Sequence, residues 1–244
     1  MAITDSLVAA YTFEDDGGSH ANLGIDAFAG INMTVVQGGG TASVTQAAGK
    51  VSKAALFDPG NTNNEMMYVD SAALKMNGTS WEITCWVYPT DLGVLGNRGI
   101  FQKLDAIFEY WVYYDLAATY WTAYVSPDGA ATVNVHGPAG GVSINTWYFL
   151  DLSFDLPNTQ LTLRINNAIP AAGQASCTGT NGSTARFYVG NSFYVQPLKG
   201  MIDALNIWKR LLTSGERSQL YAAGADAEYP FVASSRRRTS SFYY

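Results

Sequence analysis

The sequence predicts an all-β protein, a sandwich or barrel of many short strands. Three observations carry that prediction. Short apolar-polar alternating runs recur from end to end, each bounded by Gly, Asn, Asp or Pro. Helical periodicity appears in one place only, near the C-terminal end. The composition, 48% hydrophobic and 14% charged over 244 residues with 24 Gly and 15 Tyr, suits a large core crossed by many tight turns.

The elements follow in order. LVAAYTFE (7–14) opens the chain as a strand and stops at an acidic, Gly-rich stretch. Strands are then expected at 31–36, 53–58 and 65–70, separated by Gly- and Asn-rich turns. WEITCWVYP (81–89) is the strongest apolar strand, followed by one at 99–104. Two aromatic strands come next, IFEYWVYY (107–114) and TYWTAYVS (119–126), then ATVNVH (131–136). WYFLDLSFD (147–155) and QLTLRIN (160–166) are the next strands, with Asp155, Leu156 and Pro157 starting the turn after the first, and strands at 185–190 and 200–208 close the set.

In GMIDALNIW (200–208), alternation places Met201, Asp203, Leu205 and Ile207 on one core-facing side. Asp203 is therefore expected to be buried and held by donors, because an unpaired buried carboxylate is too costly. A helix is expected at 213–222, with Thr213 and Glu216 spaced as a capping box and Gly224 as its stop. Residues 1–224 read as one domain and 225–244 as a tail and interaction arm.

The totals exclude several function classes. Net charge is -6 and the pI near 4.8, which argues against nucleic acid. No apolar run reaches membrane-span length, and MAITDSLVAAYTFEDD has neither the basic nor the apolar region of a signal peptide. A soluble chain with no membrane partner is expected. Cys85 and Cys177 read as free thiols. Two histidines, no Gly-x-Ser-x-Gly elbow, no phosphate loop and no zinc spacing leave little enzyme chemistry.

Three blocks together resemble the laminin-G-like, concanavalin A-type jelly-roll family. KAALFD with YVDSAALKMNGTSWEITCWVYPT carries Ile83, Trp86, Val87 and Pro89 of that family's apolar-Trp-Val-x-Pro strand. NTWYFLDLSFDLPNTQLTLRINN is similar to its central hairpin. GMIDALNIWKRLLTSGERSQLYAAG is similar to its terminal Gly-x-Ile-Asp strand, basic turn and helix. The resemblance covers residues 6 to 224 and implies two antiparallel sheets packed face to face as a jelly-roll sandwich, with the domain's two ends close together.

It also frames the chemistry. Glycosidases of this fold need paired carboxylates in one cleft. No Glu-x-Asp-x-x-Glu run occurs here, and Asp151 and Asp155 are the nearest substitute, so no catalytic residue is assigned. Calcium is the one metal worth keeping, since some members of the family hold it where the first-strand loop meets the terminal strand. Glu14 and Asp203 match those positions, and no other cofactor is required. The alternative for Asp203 is acceptance of backbone N–H bonds from a nearby loop.

The aromatic strands hold more rings than one inner face can bury. Phe108, Tyr110, Val112 and Tyr114 form one face of the first, with Glu109, Trp111 and Tyr113 on the other. Glu109 marks that second face as the solvent or partner side. Glu109, Trp111, Tyr113, Tyr120 and Trp121 are thus the candidate surface for a protein partner or a glycan, the plainer alternative being sandwich core with ordinary exposed tyrosines. In the tail, Arg236, Arg237, Arg238, Phe242, Tyr243 and Tyr244 are candidate contacts.

Laminin-G-like modules usually work outside the cell, yet this chain starts at Met1 without a leader. Leaderless single-domain chains of this type occur among tailed-bacteriophage structural proteins. The first expectation is accordingly a non-enzymatic structural or decoration protein of a virion, bound to other virion proteins and to copies of itself, with a cell-surface glycan as a further partner. A carbohydrate-binding module or receptor-binding lectin is the alternative, and an atypical glycoside hydrolase the third.

Overall fold

The structure is a computed structural model that describes residues 2–14, 19–20, 31–36, 44–57, 66–93, 97–104, 108–191, 197–222 and 231, with backbone only at 19, 20 and 36. Its strands are β1 (Leu7–Tyr11), β2 (Ser19–His20), β3 (Met33–Val36), β4 (Thr45–Ala48), β5 (Lys53–Phe57), β6 (Met66–Val69), β7 (Trp81–Asp91) and β8 (Arg98–Leu104). They continue with β9 (Phe108–Asp115), β10 (Tyr120–Val125), β11 (Val133–His136), β12 (Tyr148–Asp155), β13 (Gln160–Ile165), β14 (Gln174–Ser176), β15 (Phe187–Val189) and β16 (Lys199–Trp208). An α-helix, α1 (Ser214–Tyr221), follows the last strand, and a 3-10 turn at Ala72–Leu74 precedes β7.

The strands make two antiparallel sheets, as a concanavalin A-like jelly roll does. The first runs β14-β13-β12-β7-β16-β5-β4, with β1 also paired to β16, so the N-terminal and C-terminal strands lie side by side. The second runs β11-β10-β9-β8-β15-β6-β3-β2. Between them lies the main core, where alternate residues of each strand meet. On β7 these are Trp81, Ile83, Cys85 and Val87, and on β9 Tyr110, Val112 and Tyr114. Each large apolar side chain enclosed here contributes about 1.5–3 kcal/mol.

The other face of β7 is buried too, because α1 lies across it. Trp86, Phe149 and Trp208 from the sheet, with Leu212, Leu220 and Phe231 from beyond it, form a second apolar cluster. The packed body therefore reaches Phe231, past residue 224. The helix has the expected start. Thr213 accepts from the Glu216 N–H at 3.2 Å, and the Glu216 carboxylate accepts from the Thr213 N–H at 2.7 Å.

Every strand expected from the sequence is present. The ones not foreseen, β2, β4 and β14, are short and polar (SH, TQAA, QAS) and lack alternation. The expected face of Asp203 requires correction. A bulge between Asp203 and Asn206, with Ala204 at φ +46°, breaks the alternation of β16. Ile202, Leu205 and Ile207 enter the main core, while Asp203 is paired with Trp86 on the outer side. Both cysteines are free and buried. Among the described residues no helix is long and apolar enough to cross a membrane.

Candidate functional site

The outer face of the second sheet carries a band of rings. On β9 the core takes Tyr110, Val112 and Tyr114, which turns Trp111 and Tyr113 outward. On β10 it takes Trp121, Ala123 and Val125, which turns Tyr120 and Tyr124 outward. The antiparallel register sets one cross-sheet row: Asn134, Tyr124, Trp111, Gln102, Tyr188, Tyr68.

Within the band, Trp111 and Tyr113 have centroids 4.1 Å apart, and Tyr113 stacks on Tyr124 at 5.8 Å with planes 10° apart. Tyr120 stacks on His136 at 4.3 Å. Further along, Tyr68 meets Tyr188 at 6.2 Å and carries the Arg186 guanidinium 4.5 Å above its ring. Trp111, Tyr120, Tyr124, Tyr68 and His136 are half-buried, so the rings present part of their surface to solvent. Burial pushes the Tyr113 phenol well up, reinforced by its hydrogen bond with Tyr124.

Among the described residues, three polar atoms in this row have no partner. Both amide atoms of Gln102 and the indole Nε1 of Trp111 are enclosed without a hydrogen bond. Such groups cost about 1–3 kcal/mol each when left unmade. Gln102 is 0% exposed beneath the rings, so an enclosed water, not a surface ligand, would recover that cost.

Two of the expected surface residues are not on this surface. Glu109 is 0% exposed, so it does not mark a solvent face. It accepts from the Met76 N–H at 2.6 Å and the Ser183 N–H at 3.1 Å, and its Oε2 lies 3.3 Å from Lys103 Nζ. Lys103 in turn donates to the Ser183 and Ala185 carbonyls. Burial raises Glu109 and lowers Lys103 relative to their ordinary values. The pair ties two loops to the ends of β8 and β9. Trp121 is the second correction: it packs inside the core against Tyr114 and Tyr148. Tyr113 is nearly covered by its neighbours, while Trp111 and Tyr120 stand where expected.

Tyr124, Gln102, Tyr188, Tyr68 and His136 complete the band and were not singled out by the sequence. Period-two spacing from Tyr120 could have found Tyr124. The others come from strands brought alongside only by the sheet order. Arg236, Arg237, Arg238, Phe242, Tyr243 and Tyr244 lie outside the described residues.

Glu14 and Asp203 converge on one turn. Asp203 is 0% exposed; its Oδ2 accepts from the Val51 N–H at 2.8 Å, and its Oδ1 has no partner. Glu14 accepts from the Lys53 N–H at 2.9 Å and the Ser52 hydroxyl at 3.0 Å. A Cβ on Gly49 would stand 2.7 Å from Asp203 Oδ2, so this turn needs glycine there. Burial raises the Asp203 carboxyl to about 7. Calcium takes six to eight oxygens. Among the described residues no group of three acidic, His or Cys side chains could hold an ion. Asp203 and Glu14 already bind the turn, so the described donor set does not fit calcium. Asp15, Asp16 and Asp26 are outside the described residues.

The carboxylates that a glycosidase would need are also engaged. Asp151 is buried beneath Arg164 and Arg217, and Asp155 accepts from the Asn158 amide at 2.8 Å within its turn.

A profile described as the concanavalin A-like lectin/glucanases superfamily, of laminin G type, matches residues 61–216. No curated protein matches the chain. Among solved structures, the fold is similar to the binding domain of Paraclostridial mosquitocidal protein 1, at 16% identity and TM-score 0.67, over 90% of this chain and 52% of that one. It is similar to the receptor binding domain of botulinum neurotoxin D, at 9% and 0.66, over 91% and 53%. It is also similar to domain 4 of AbnA, a GH43 extracellular arabinanase from Geobacillus stearothermophilus solved with arabinotriose, at 20% and 0.62, over 86% and 95%. The chain thus spans about half the length of the two toxin chains, and these identities establish likeness of fold.

Proposed function

Because the chain belongs to the concanavalin A-like lectin/glucanases superfamily, we propose that it is a non-catalytic recognition module that holds a glycan on the aromatic face of its second sheet. The observation that carries this reading is the Trp111–Tyr113–Tyr124 ring cluster on the outer face of that sheet. Sugar rings present apolar C–H faces, which pack on aromatic planes, and hydroxyl edges, which need paired donors and acceptors. A row of rings across several strands suits a chain of sugar units rather than one.

The named neighbours are a binding domain, a receptor binding domain and a domain solved with arabinotriose, which supports recognition over catalysis. The virion reading, with its virion partners and self-assembly, gains no such support from the sheets or the neighbours.

The test is affinity electrophoresis of the full chain through arabinan, galactan, β-glucan and sialylated glycoprotein. At least one retards it. Trp111→Ala and Tyr124→Ala each weaken that binding about tenfold, the equivalent of roughly 1.4 kcal/mol. Trp111→Phe retains most of it. The reading is wrong if no glycan in the panel is bound, or if Trp111→Ala binds as the parent does while remaining folded.

A further inference from the structure

The opposite face of the molecule holds a second feature that the aromatic band does not explain. On the outer side of the first sheet, beside α1, lies an open cleft of about 280 Å³. Its walls include Arg164, Arg217, Gln160, Gln174, Asn158 and Asp155, with Leu211 as the apolar exception. The volume is close to the lower bound of about 300 Å³ for small-ligand sites, room for a single sugar-sized group.

The guanidiniums are set in place from below. Arg217, on α1, donates through Nε and Nη2 to both oxygens of Glu82, at 2.6 and 2.7 Å, and its Nε lies 3.2 Å from Asp151. Glu82 also accepts from the Leu212 N–H at 2.8 Å. Arg217 is therefore matched by a carboxylate in fork geometry. Arg164 is not. Its Nη1 donates to the neutral Ser153 hydroxyl at 2.9 Å and reaches Asp151 Oδ2 only at 3.5 Å. Nε and Nη2 of Arg164 have no partner among the described residues. Its side chain is 16% exposed, against 1% for Asp151. Burial, then the Glu82 charge, pushes the Asp151 carboxyl well up, which weakens it further as a counter-ion.

An under-paired guanidinium at the wall of a polar cleft is complementary to a carboxylate. The rest of the lining offers hydroxyl partners. Gln174 Nε2 donates to Thr162 Oγ1 at 3.3 Å and Gln160 Nε2 to the Ala175 carbonyl at 3.1 Å, which leaves both amide oxygens as acceptors. Asp155 stands at the rim, capped by Asn158, and disfavours a bulky polyanion. We propose that this cleft is a second binding site, for a single acidic sugar residue whose carboxylate pairs with Arg164 and whose hydroxyls meet Gln160 and Gln174. It lies on the other sheet from the aromatic band and does not depend on it.

The experiment is a ¹H–¹⁵N NMR titration of the full chain with D-glucuronate, D-glucose and inorganic phosphate. Glucuronate shifts the amides of residues 153–164 and 174 and the side chain of Arg217. Glucose at the same concentration does not. Gln174→Ala, at the exposed rim, weakens glucuronate several-fold without changing Tm. Arg164→Gln abolishes it, and Arg164→Lys, which keeps the charge and loses the fork, recovers part. Trp111→Ala leaves it intact. Three results would overturn the assignment: glucose shifting the same amides equally, phosphate binding as tightly as glucuronate, or glucuronate shifts confined to β9 and β10.

Discussion

Asp203 illustrates how far one side chain can be read in advance. That it would be buried and held by backbone donors follows from its place in an apolar strand, and the Val51 N–H meets it. Which face it occupies does not follow, because a bulge at Ala204 reverses the alternation and no residue there announces it. Its protonation gives a testable consequence. The folded carboxyl titrates near 7, against an ordinary value of 3.8, because burial disfavours its charge. A carboxyl raised on folding favours the folded state while protonated, and that contribution is lost as pH rises toward the folded value. The parent should therefore lose stability from about pH 4 to pH 7 through this group. Asp203→Asn keeps an oxygen for Val51 and removes the titration. Urea unfolding at pH 4.5 and pH 8 should show the variant gaining on the parent at the higher pH. Parallel stabilities at the two pH values would remove the argument.

At the scale of elements, local signals were legible and pairing was not. The capping box of α1 is written in Thr213 and Glu216, three residues apart, and needs nothing from elsewhere. The edge strands β4 and β14 have no apolar alternation, because their outer positions face water and their neighbours supply the pairing. The candidate site divides the same way. Trp111 and Tyr120 were readable from their own strands. Gln102, Tyr188 and Tyr68 reach them only through the order β9-β8-β15-β6. Glu109 was misread because a lone charge among rings signals solvent until Lys103 and two loop amides are seen to enclose it. The helix supplies the prediction at this scale. Two of the devices that hold it are the Thr213 cap and the Arg217 fork on Glu82. Losing a cap costs about 1 kcal/mol. Removing one partner of a buried ion pair costs about 3–5 kcal/mol, because the other charge is left enclosed. Arg217→Ala should accordingly lower the urea midpoint several times as far as Thr213→Ala. An equal or reversed order would show that the fork does not anchor the helix.

For the whole molecule, the two faces of the sandwich are built for different work. The outer side of the second sheet presents rings to solvent. The outer side of the first is closed by segments from both ends of the chain. Arg210 donates to the Ala2, Ile3 and Asp5 carbonyls and pairs with Glu216 at 2.6 Å, and Trp208 Nε1 donates to the Ile3 carbonyl at 2.8 Å. Phe231 then packs on Trp208, at 6.2 Å between ring centroids and 6% exposed. Chain closure and glycan recognition are thereby placed on opposite sheets, so they should be separable by mutation. Phe231→Ala removes a buried ring from the closing cluster, at a cost of about 3 kcal/mol. For a domain of this size that corresponds to a fall in Tm of roughly 6–12 °C. Below the lowered Tm, retardation by the glycan that binds the parent should be unchanged, since Trp111, Tyr113 and Tyr124 lie across the core. Trp111→Ala should show the reverse, lost retardation at a Tm closer to the parent's. If Phe231→Ala weakens glycan binding in the fully folded protein, the two faces are coupled through the core, and this division of labour is wrong.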